Sequence, residues 1–583
     1  MLANPLSRLV AFVIVWWMGA RGNSFVLLYA QTLVRIGRKD AALRMLDRAV
    51  RLPALVRASG VELATLYYHL GEYESCIIAA KKILAIVPAH LGVIVLLAHC
   101  LYGMGDNEAA KQVYERLAAL DSNFARQHEC FLWLAFLHGR RRQPDVALGY
   151  FAMHCAPIPS EPHEASAFGL VVSKLEDKGH RFLRTVDRKI VSLLRSVPGP
   201  EGRTAVFFFS PGNAIGHAVL EPFWLLNLVR GEFDRVVFIG AHAASTPPVR
   251  TALQIVDQYV ERLDTEDVSL INLWWMDFGD ILTDRFTYIL RDYRRLARSI
   301  YDARIDSASP LAAGRRHFAL PSGLRMLGEQ VAVANGLDLS RPIVVVHVRE
   351  HGFHQLGVQA FRNARIDNYL PTIRMLIDLG YLVVRVGDSS MPRVKINSPH
   401  FIDLPHRAYA APFLDPFFIA RARFMIACQS GPCAYARAFG IPILNLNAVY
   451  HYSLIPEANE LVGFKHYRRR AGGRQVELSF AEIVADKLYQ LETTQQFERA
   501  GVGLEELSAA EVTAATNEML DWFANPSREE SDAQRRFRSI ALAAANANSQ
   551  KAEGDHLLRS YLGYALPTCR VSDAIVRLRP GYL

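Results

Sequence analysis

Four glycines, Gly37, Gly71, Gly105 and Gly139, stand 34 residues apart, and Ala30, Ala64 and Ala98 keep the same step. The text around them recurs: L-V-R-I-G-R-K-D-A-A, then Y-H-L-G-E-Y-E-S-C, then L-Y-G-M-G-D-N-E-A-A. A period of this length marks stacked supersecondary units, none of which can bury its apolar face alone. The glycine supplies the turn and the small alanine lets two helices approach closely. Pro88 falls where the second helix of the second unit should stop. The period predicts an α-solenoid over residues 23–155. Its fourth unit is degenerate: R-R-R-Q-P after Gly139 reads as a longer turn and Ala147 is displaced, as in a cap. Such a solenoid offers a surface for a partner protein, or serves as a spacer beside a catalytic part.

After Pro157 the pattern changes. Helical text over residues 156–199 ends in the linker P-G-P-E-G-R. Continuous apolar stretches then alternate with helical ones: T-A-V-F-F-F-S, R-V-V-F-I-G, P-I-V-V-V-H-V, Y-L-V-V-R-V-G, F-M-I-A-C and I-P-I-L-N-L. This alternation predicts parallel sheets covered on both faces. It occurs in two runs, giving Rossmann-like domains at 200–338 and 339–472, followed by a helical region over 473–583. Asp277 to Ala303, rich in arginine and tyrosine, reads as helical. Two doubly wound domains imply ligands at the carboxyl ends of their strands.

Of 583 residues, 51% are apolar and 21% charged, enough for large cores and against wholesale disorder. The net charge of +9 is diffuse, which suits an anionic small ligand or a membrane surface and does not argue for nucleic acid. The seven cysteines are scattered, without a metal-binding spacing, and read as free thiols in a reducing cytoplasm. Within the N-terminal segment 1–22, Leu9 to Ala20 is apolar, with Arg8 before it and Arg21 after. It is too short to span a bilayer, which takes about 20 residues. A core helix of the first repeat, a membrane-surface anchor using Trp16 and Trp17, and a cleaved signal all stay open.

The candidate chemistry lies at four strand ends. In F-F-F-S-P-G-N-A-I-G-H, Gly212, Asn213 and Gly216 form a loop that lets backbone approach a ligand. His217, at the start of the next helix, either takes a proton from an attacking hydroxyl or caps local structure. In I-V-V-V-H-V-R-E-H-G-F, alternation puts His347 and Arg349 on one face. Arg349 can grip a diphosphate with its planar fork or close a structural ion pair, and Glu350 is the second candidate for a base. In R-V-G-D-S-S, Asp388 either binds a sugar hydroxyl or caps a turn. In C-Q-S-G-P-C-A-Y-A-R-A-F-G-I-P, Ser430 and Gly431 stand where a strand becomes a helix, as a phosphate seat or an ordinary N-cap. One anion site would explain Arg349, Ser430 and Gly431 together.

The repeats resemble the tetratricopeptide repeat. The elements H-V-R-E, F-R-N followed by D-N-Y-L-P-T-I, R-V-G-D-S-S-M, Q-S-G-P with A-R-A-F-G-I-P, and the tail L-P-T-C-R-V-S-D-A-I resemble a family of bacterial glycosyltransferases of the GT-B fold over residues 200–583. The H-x-R element is similar to that of GDP-fucose-dependent fucosyltransferases, whose arginine binds the donor diphosphate, a role that falls on Arg349. Gly352 stands where the acid of the fuller H-x-R-x-x-D form would be. The Ser-Gly-Pro segment is similar to the D-[ST]-G-P of heptosyltransferases, with Gln429 replacing the acid. The G-x-x-x-G-H loop resembles the first loop of GT-B enzymes, whose histidine acts as or near the base.

The resemblance implies an inverting, metal-independent glycosyltransferase. It would move a sugar from a nucleotide-diphosphate sugar to a glycan, lipid-linked or protein acceptor, as in surface polysaccharide biosynthesis. The nucleotide sugar is substrate, and no cofactor is implied. The expected location is the cytoplasm, with the inner-membrane surface as the alternative. A nucleotide-sugar epimerase of the same fold and a non-catalytic repeat scaffold are the other readings. The basic run Lys465 to Arg470 would face an anionic acceptor or be solvated.

Overall fold

The computed structural model describes residues 29–30, 32–33, 39–70, 72–155, 172–194, 202–293, 295–297, 299–300, 316–350, 359–450, 454, 456–471, 474–491, 493–525, 529–549 and 569–583. The apolar segment 1–22, Gly37, Gly71 and Gly352 lie outside them. The chain divides into two units, 1–190 and 191–583. Among the described residues no helix is long and apolar enough to cross a membrane.

The first unit is helical: α1 (Lys39–Ala49), α2 (Pro53–His69), α3 (Tyr73–Ile86), α4 (Leu91–Gly103), α5 (Asn107–Leu120), α6 (Ser122–Gln127), α7 (Cys130–Arg140), α8 (Pro144–Cys155) and most of α9 (Val172–Leu194). Successive helices pack in antiparallel pairs around fully buried Ala64, Ala80, Ala98 and Cys76, where small side chains permit close approach. Gly105 makes its turn in the left-handed region at φ 81°. Gly139 does not: α7 runs through it, and Arg142 takes the left-handed turn at φ 56° instead. Gly149 of α8 lies against the Leu175 backbone, leaving no room for a side chain and bringing α9 onto the last hairpin. Tyr68, Tyr102 and Phe136 repeat at the 34-residue step. With Trp133 they form a partly exposed aromatic band, Tyr102 lying 4.8 Å from Trp133 and 6.2 Å from Phe136.

The second unit holds two sheets. The first has the order β3-β2-β1-β5-β4, from β1 (Thr204–Phe208), β2 (Arg235–Gly240), β3 (Glu261–Asp264), β4 (Gly279–Leu282) and β5 (Phe286–Leu290). All neighbours are parallel except β4 and β5. Helices α10 (Ile215–Leu228) and α11 (Pro247–Val256) follow β1 and β2. The stretch expected to be helical from Asp277 is thus a β-hairpin at its start. Phe286-Thr-Tyr-Ile-Leu290 is β-branched and aromatic, and β5 gains a central place beside β1, which overrides the charge pattern read as helical.

The second sheet has seven strands in the order β15-β11-β10-β9-β6-β7-β8. They are β6 (Ile343–His347), β7 (Leu382–Arg385), β8 (Phe401–Asp403), β9 (Ala422–Ala427), β10 (Ile443–Ala448), β11 (Glu460–Phe464) and β15 (Arg570–Val571), all parallel to their neighbours. Counted from β6 to β11, this is the 3-2-1-4-5-6 order of a dinucleotide-type fold. Every residue of β6, β7 and β10 is buried, as covering on both faces requires. Helices α12 (Ser322–Ala334), α13 (Leu370–Asp378), α14 (Leu414–Ala420) and α15 (Cys433–Phe439) belong to this half.

The C-terminal region contains helices α16 (Phe480–Ala485), α17 (Ala509–Ala524), α18 (Asp532–Ser549) and α19 (Asp573–Leu578). It also contains strands that the sequence did not announce. β12 (His466–Ala471) lies between β13 (Arg474–Glu477) and β14 (Val502–Glu505) in an antiparallel sheet, and β15 extends the large sheet. The basic run is absorbed here. Lys465 is buried with Nζ donating to the Asn363 carbonyl at 2.5 Å, while Arg468 and Arg469 pair with Glu505 and Asp486. His466 sits between Glu477 (2.9 Å) and Glu511 of α17 (3.1 Å).

The two sheets are locked together. Helix α10 packs on α15. The connecting segment donates Phe318 N to the Ala438 carbonyl at 2.7 Å, and exchanges hydrogen bonds between Arg316 and Asn227 of α10.

Candidate functional site

In an open parallel sheet the crevice lies where strand order reverses, beyond the carboxyl ends of the strands on either side. In the first sheet that point lies between β1 and β5. The chain leaves β1 through Ser210 and Pro211 and reaches Gly212 at φ 56°, where a Cβ would meet nothing within 4 Å. Gly212 and Asn213 are exposed, and α10 begins two residues on at Ile215. His217 lies in the first turn of α10 and packs edge-on to Tyr293, just past β5, with ring centroids 4.9 Å apart. One helical turn on, Glu221 Oε1 meets His217 Nδ1 at 2.5 Å. Glu221 is buried, and its other oxygen accepts the Trp274 indole N–H at 2.9 Å. Burial opposes a charged His217, but the hydrogen bond and charge of Glu221, with Asp292, outweigh it and raise its pKa. The result is a histidine–carboxylate dyad with the carboxylate fixed by a tryptophan.

In the second sheet the order reverses between β6 and β9. The ends of these strands are joined by Cys428 N donating to the His347 carbonyl (3.3 Å) and Arg349 N donating to Cys428 Sγ (2.8 Å). His347 is buried. Its Nδ1 lies 3.1 Å from the Val386 carbonyl and its Nε2 2.9 Å from Ser430 Oγ. Burial, with Arg385 and Arg349 nearby, lowers its pKa to about 4. Arg349 is half-buried, with Nε donating to Asn363 Oδ1 at 3.1 Å. Burial and the neighbouring Arg362 bring its pKa down to about 10, so it remains a cation at neutral pH.

Three of the expected residues have clear local partners. Glu350 pairs with the fully buried Arg385, which also donates to Asp403 Oδ1 and the Pro392 carbonyl, both at 2.8 Å. Its other oxygen accepts Ile366 N at 3.4 Å, so Glu350 braces the sheet end. Asp388 Oδ1 accepts Ser390 N at 2.9 Å and caps a turn. Ser430 makes no N-cap bond: α15 starts behind Pro432 without a side-chain cap and is only seven residues long, and the Ser430 hydroxyl goes to His347. Gln429 uses Oε1 to accept Val449 N at 2.7 Å.

The two loops meet at glycines. A Cβ on Gly431 would stand 3.5 Å from Gly216 N, and one on Gly216 would stand 3.7 Å from Gly431 Cα. This approach brings Ser430 and His217, each adjacent to one of these glycines, to the same junction.

Residues 91–124 match the family model of the tetratricopeptide repeat. No curated protein matches the chain. Among solved structures it is similar to the ADP-heptose LPS heptosyltransferase II of E. coli, at 11% identity, covering 46% of this chain and 92% of that one with a TM-score of 0.29. It is also similar to the glycosyl transferase family 9 structure from Veillonella parvula DSM 2008, at 12% identity, 56% and 98% coverage and a TM-score of 0.32.

Glu221 is not at a strand end, although G-H-A-V-L-E carries a signal for it. A lone carboxylate four residues after a histidine, in an otherwise apolar helix, shares its face. Nor is Asp415 of α14 at a strand end; its carboxyl is pushed up to about 7 by burial, against the Gly387 amide and with Asp388 nearby.

Proposed function

We propose that the protein is a glycosyltransferase that moves a sugar from a nucleotide-diphosphate sugar to an acceptor hydroxyl with inversion. The observation that carries this reading is the meeting of the two switch-point loops. It sets a histidine–carboxylate dyad on one side of the junction and a guanidinium, a hydroxyl and a buried histidine on the other. His217 acts as general base, drawing the proton from the acceptor hydroxyl, and Glu221 orients the ring and stabilises the imidazolium that forms. Arg349 faces the diphosphate whose charge grows as the sugar leaves, with Ser430 beside it as a second donor once its hydroxyl turns outward, the electrostatic stabilisation this reaction needs. The acceptor is a glycan, a lipid-linked glycan or a protein, delivered with help from the repeats.

A panel of nucleotide sugars tested by thermal shift checks the reading, because a ligand bound only by the folded chain raises the melting temperature. At least one should do so and then support transfer or slow hydrolysis. No shift and no turnover with any donor would refute the proposal. Release of an isomerised nucleotide sugar would instead identify an epimerase.

A further inference from the structure

The hydrogen bonds of Ser430 decide what the site can hold. A carbonyl oxygen only accepts, so the 3.1 Å contact from His347 Nδ1 to the Val386 carbonyl places a proton on Nδ1. In the neutral ring Nε2 is then a bare lone pair, and its 2.9 Å partner, the Ser430 hydroxyl, must donate to it. Ser430 has one proton, and it is spent inward. Toward the junction the oxygen offers lone pairs alone, which repel a phosphate.

Protonation of Nε2 reverses the pair. The ring then donates at both nitrogens, Ser430 accepts from Nε2, and its own O–H turns outward to an anion. We infer that Ser430 and His347 form a proton-coupled anion seat, in which a phosphate-bearing ligand is held by Ser430 with uptake of one proton at His347 Nε2.

The surroundings suit such coupling. Facing His347 are Arg349 beyond its own strand, Arg385 on β7 and Asp388 beyond β7. The two cations disfavour the imidazolium and Asp388 favours it. Asp415 of α14 stands behind Asp388 on the Gly387 amide. His217 is the titratable group on the opposite loop. By themselves burial and the arginines win, and the ring is neutral at pH 7. An anion at Ser430 offsets the arginines and supplies the charge that tips the balance. The seat therefore selects for anions through a proton.

The inference rests on the proposed donor site for its natural ligand, and its test separates the two. Sulfate, which does not titrate near neutral pH, and UDP-glucose, GDP-mannose and ADP-glucose, whose phosphates are diesters, are titrated into the full chain. Affinity is measured between about pH 6 and 8.5, and proton uptake by calorimetry in buffers of different ionisation enthalpy. Wild-type affinity should fall with rising pH by up to about tenfold per unit, with uptake approaching one proton. Ser430→Ala, folded by its melting curve, should bind weakly with no slope. His347→Gln, whose amide supplies an N–H at any pH, should bind without a slope. His217→Ala should keep the slope, since the coupled proton is not on that ring. A pH-independent wild-type affinity, or an unchanged slope in Ser430→Ala, would overturn the seat. Sulfate binding with the slope while no nucleotide sugar binds would leave the seat standing and sink the donor reading. Nucleotide-sugar binding without a slope does the reverse, and binding of neither overturns both.

Discussion

At the first switch point a histidine faces a carboxylate, and at the second a histidine faces a carbonyl and a hydroxyl. The strands before them are alike, short, parallel and apolar. Both rings are much covered by protein, yet burial decides only one of them. For His217, Glu221 outweighs burial and the ring is basic; for His347 no carboxylate among the described residues touches the ring, and its pKa drops to about 4. The chemistry at a strand end is therefore set by the acceptor opposite the imidazole. On the proposed reading, one half of the site exchanges a proton with an acceptor hydroxyl, and the other keeps its ring neutral until an anion arrives.

The largest effect should come from removing the mobile proton. His217→Ala is expected to lower kcat by about 10²–10⁴-fold with the donor KM little changed, measured by steady-state transfer. Glu221→Gln sharpens the point. A base works in its neutral form, so wild-type rates fall as pH drops below the raised pKa of His217. Without the carboxylate charge that limb should move to lower pH while the plateau falls. An unmoved limb would separate Glu221 from the titration.

A smaller effect of a different kind is expected in the second half. Arg349→Ala should raise the donor KM by about 10–100-fold, the scale of a lost charge-assisted hydrogen bond, and leave the pH limb in place. Undiminished donor affinity would remove Arg349 from the diphosphate.

The smallest expected effect concerns stability and uses a third histidine, flanked by carboxylates on both sides. Despite burial, the hydrogen bonds from His466 and Ser508 lower the Glu511 pKa from 4.5 to about 2. A depressed carboxylate stabilises the fold above its unfolded pKa, and loses that contribution as pH falls from about 4.5 toward 2. The loss should be about 3 kcal/mol in chemical denaturation, absent in Glu511→Gln. His466 is raised by its carboxylates against burial, so its contribution is full below its unfolded value and is lost as pH rises through the folded one. The two slopes have opposite sign and bracket a stability maximum.

Most of the fold was legible because its signals are local. A run such as Ile343-Val-Val-Val and a Ser-Gly-Pro turn declare themselves within a few residues, and the 34-residue step within a few repeats. What stayed hidden is non-local. Glu350 reads as a candidate base, yet it pairs with the completely buried Arg385, 35 residues away, which also binds Asp403 a further 18 residues on. The hairpin β4–β5 was masked by surface arginines, because its placement beside β1 is a tertiary choice. His217, Arg349 and Ser430 could be named from their strand ends, but the direction of the Ser430 hydroxyl depends on Val386, which only the sheet brings within reach of His347.

Strand β15 has a bearing on how the protein is made. Leu461 and Val462 of β11 pair with Arg570 and Val571, two residues that close the large sheet from far along the chain. During translation β11 leaves the ribosome well before its neighbour. At roughly 5–20 residues per second the interval is several seconds or more. Through that time the nascent chain presents a bare apolar strand, the kind of edge on which chains aggregate. The seven-stranded sheet thus has to be sheltered, by a chaperone or by the helices made after β11, until β15 arrives.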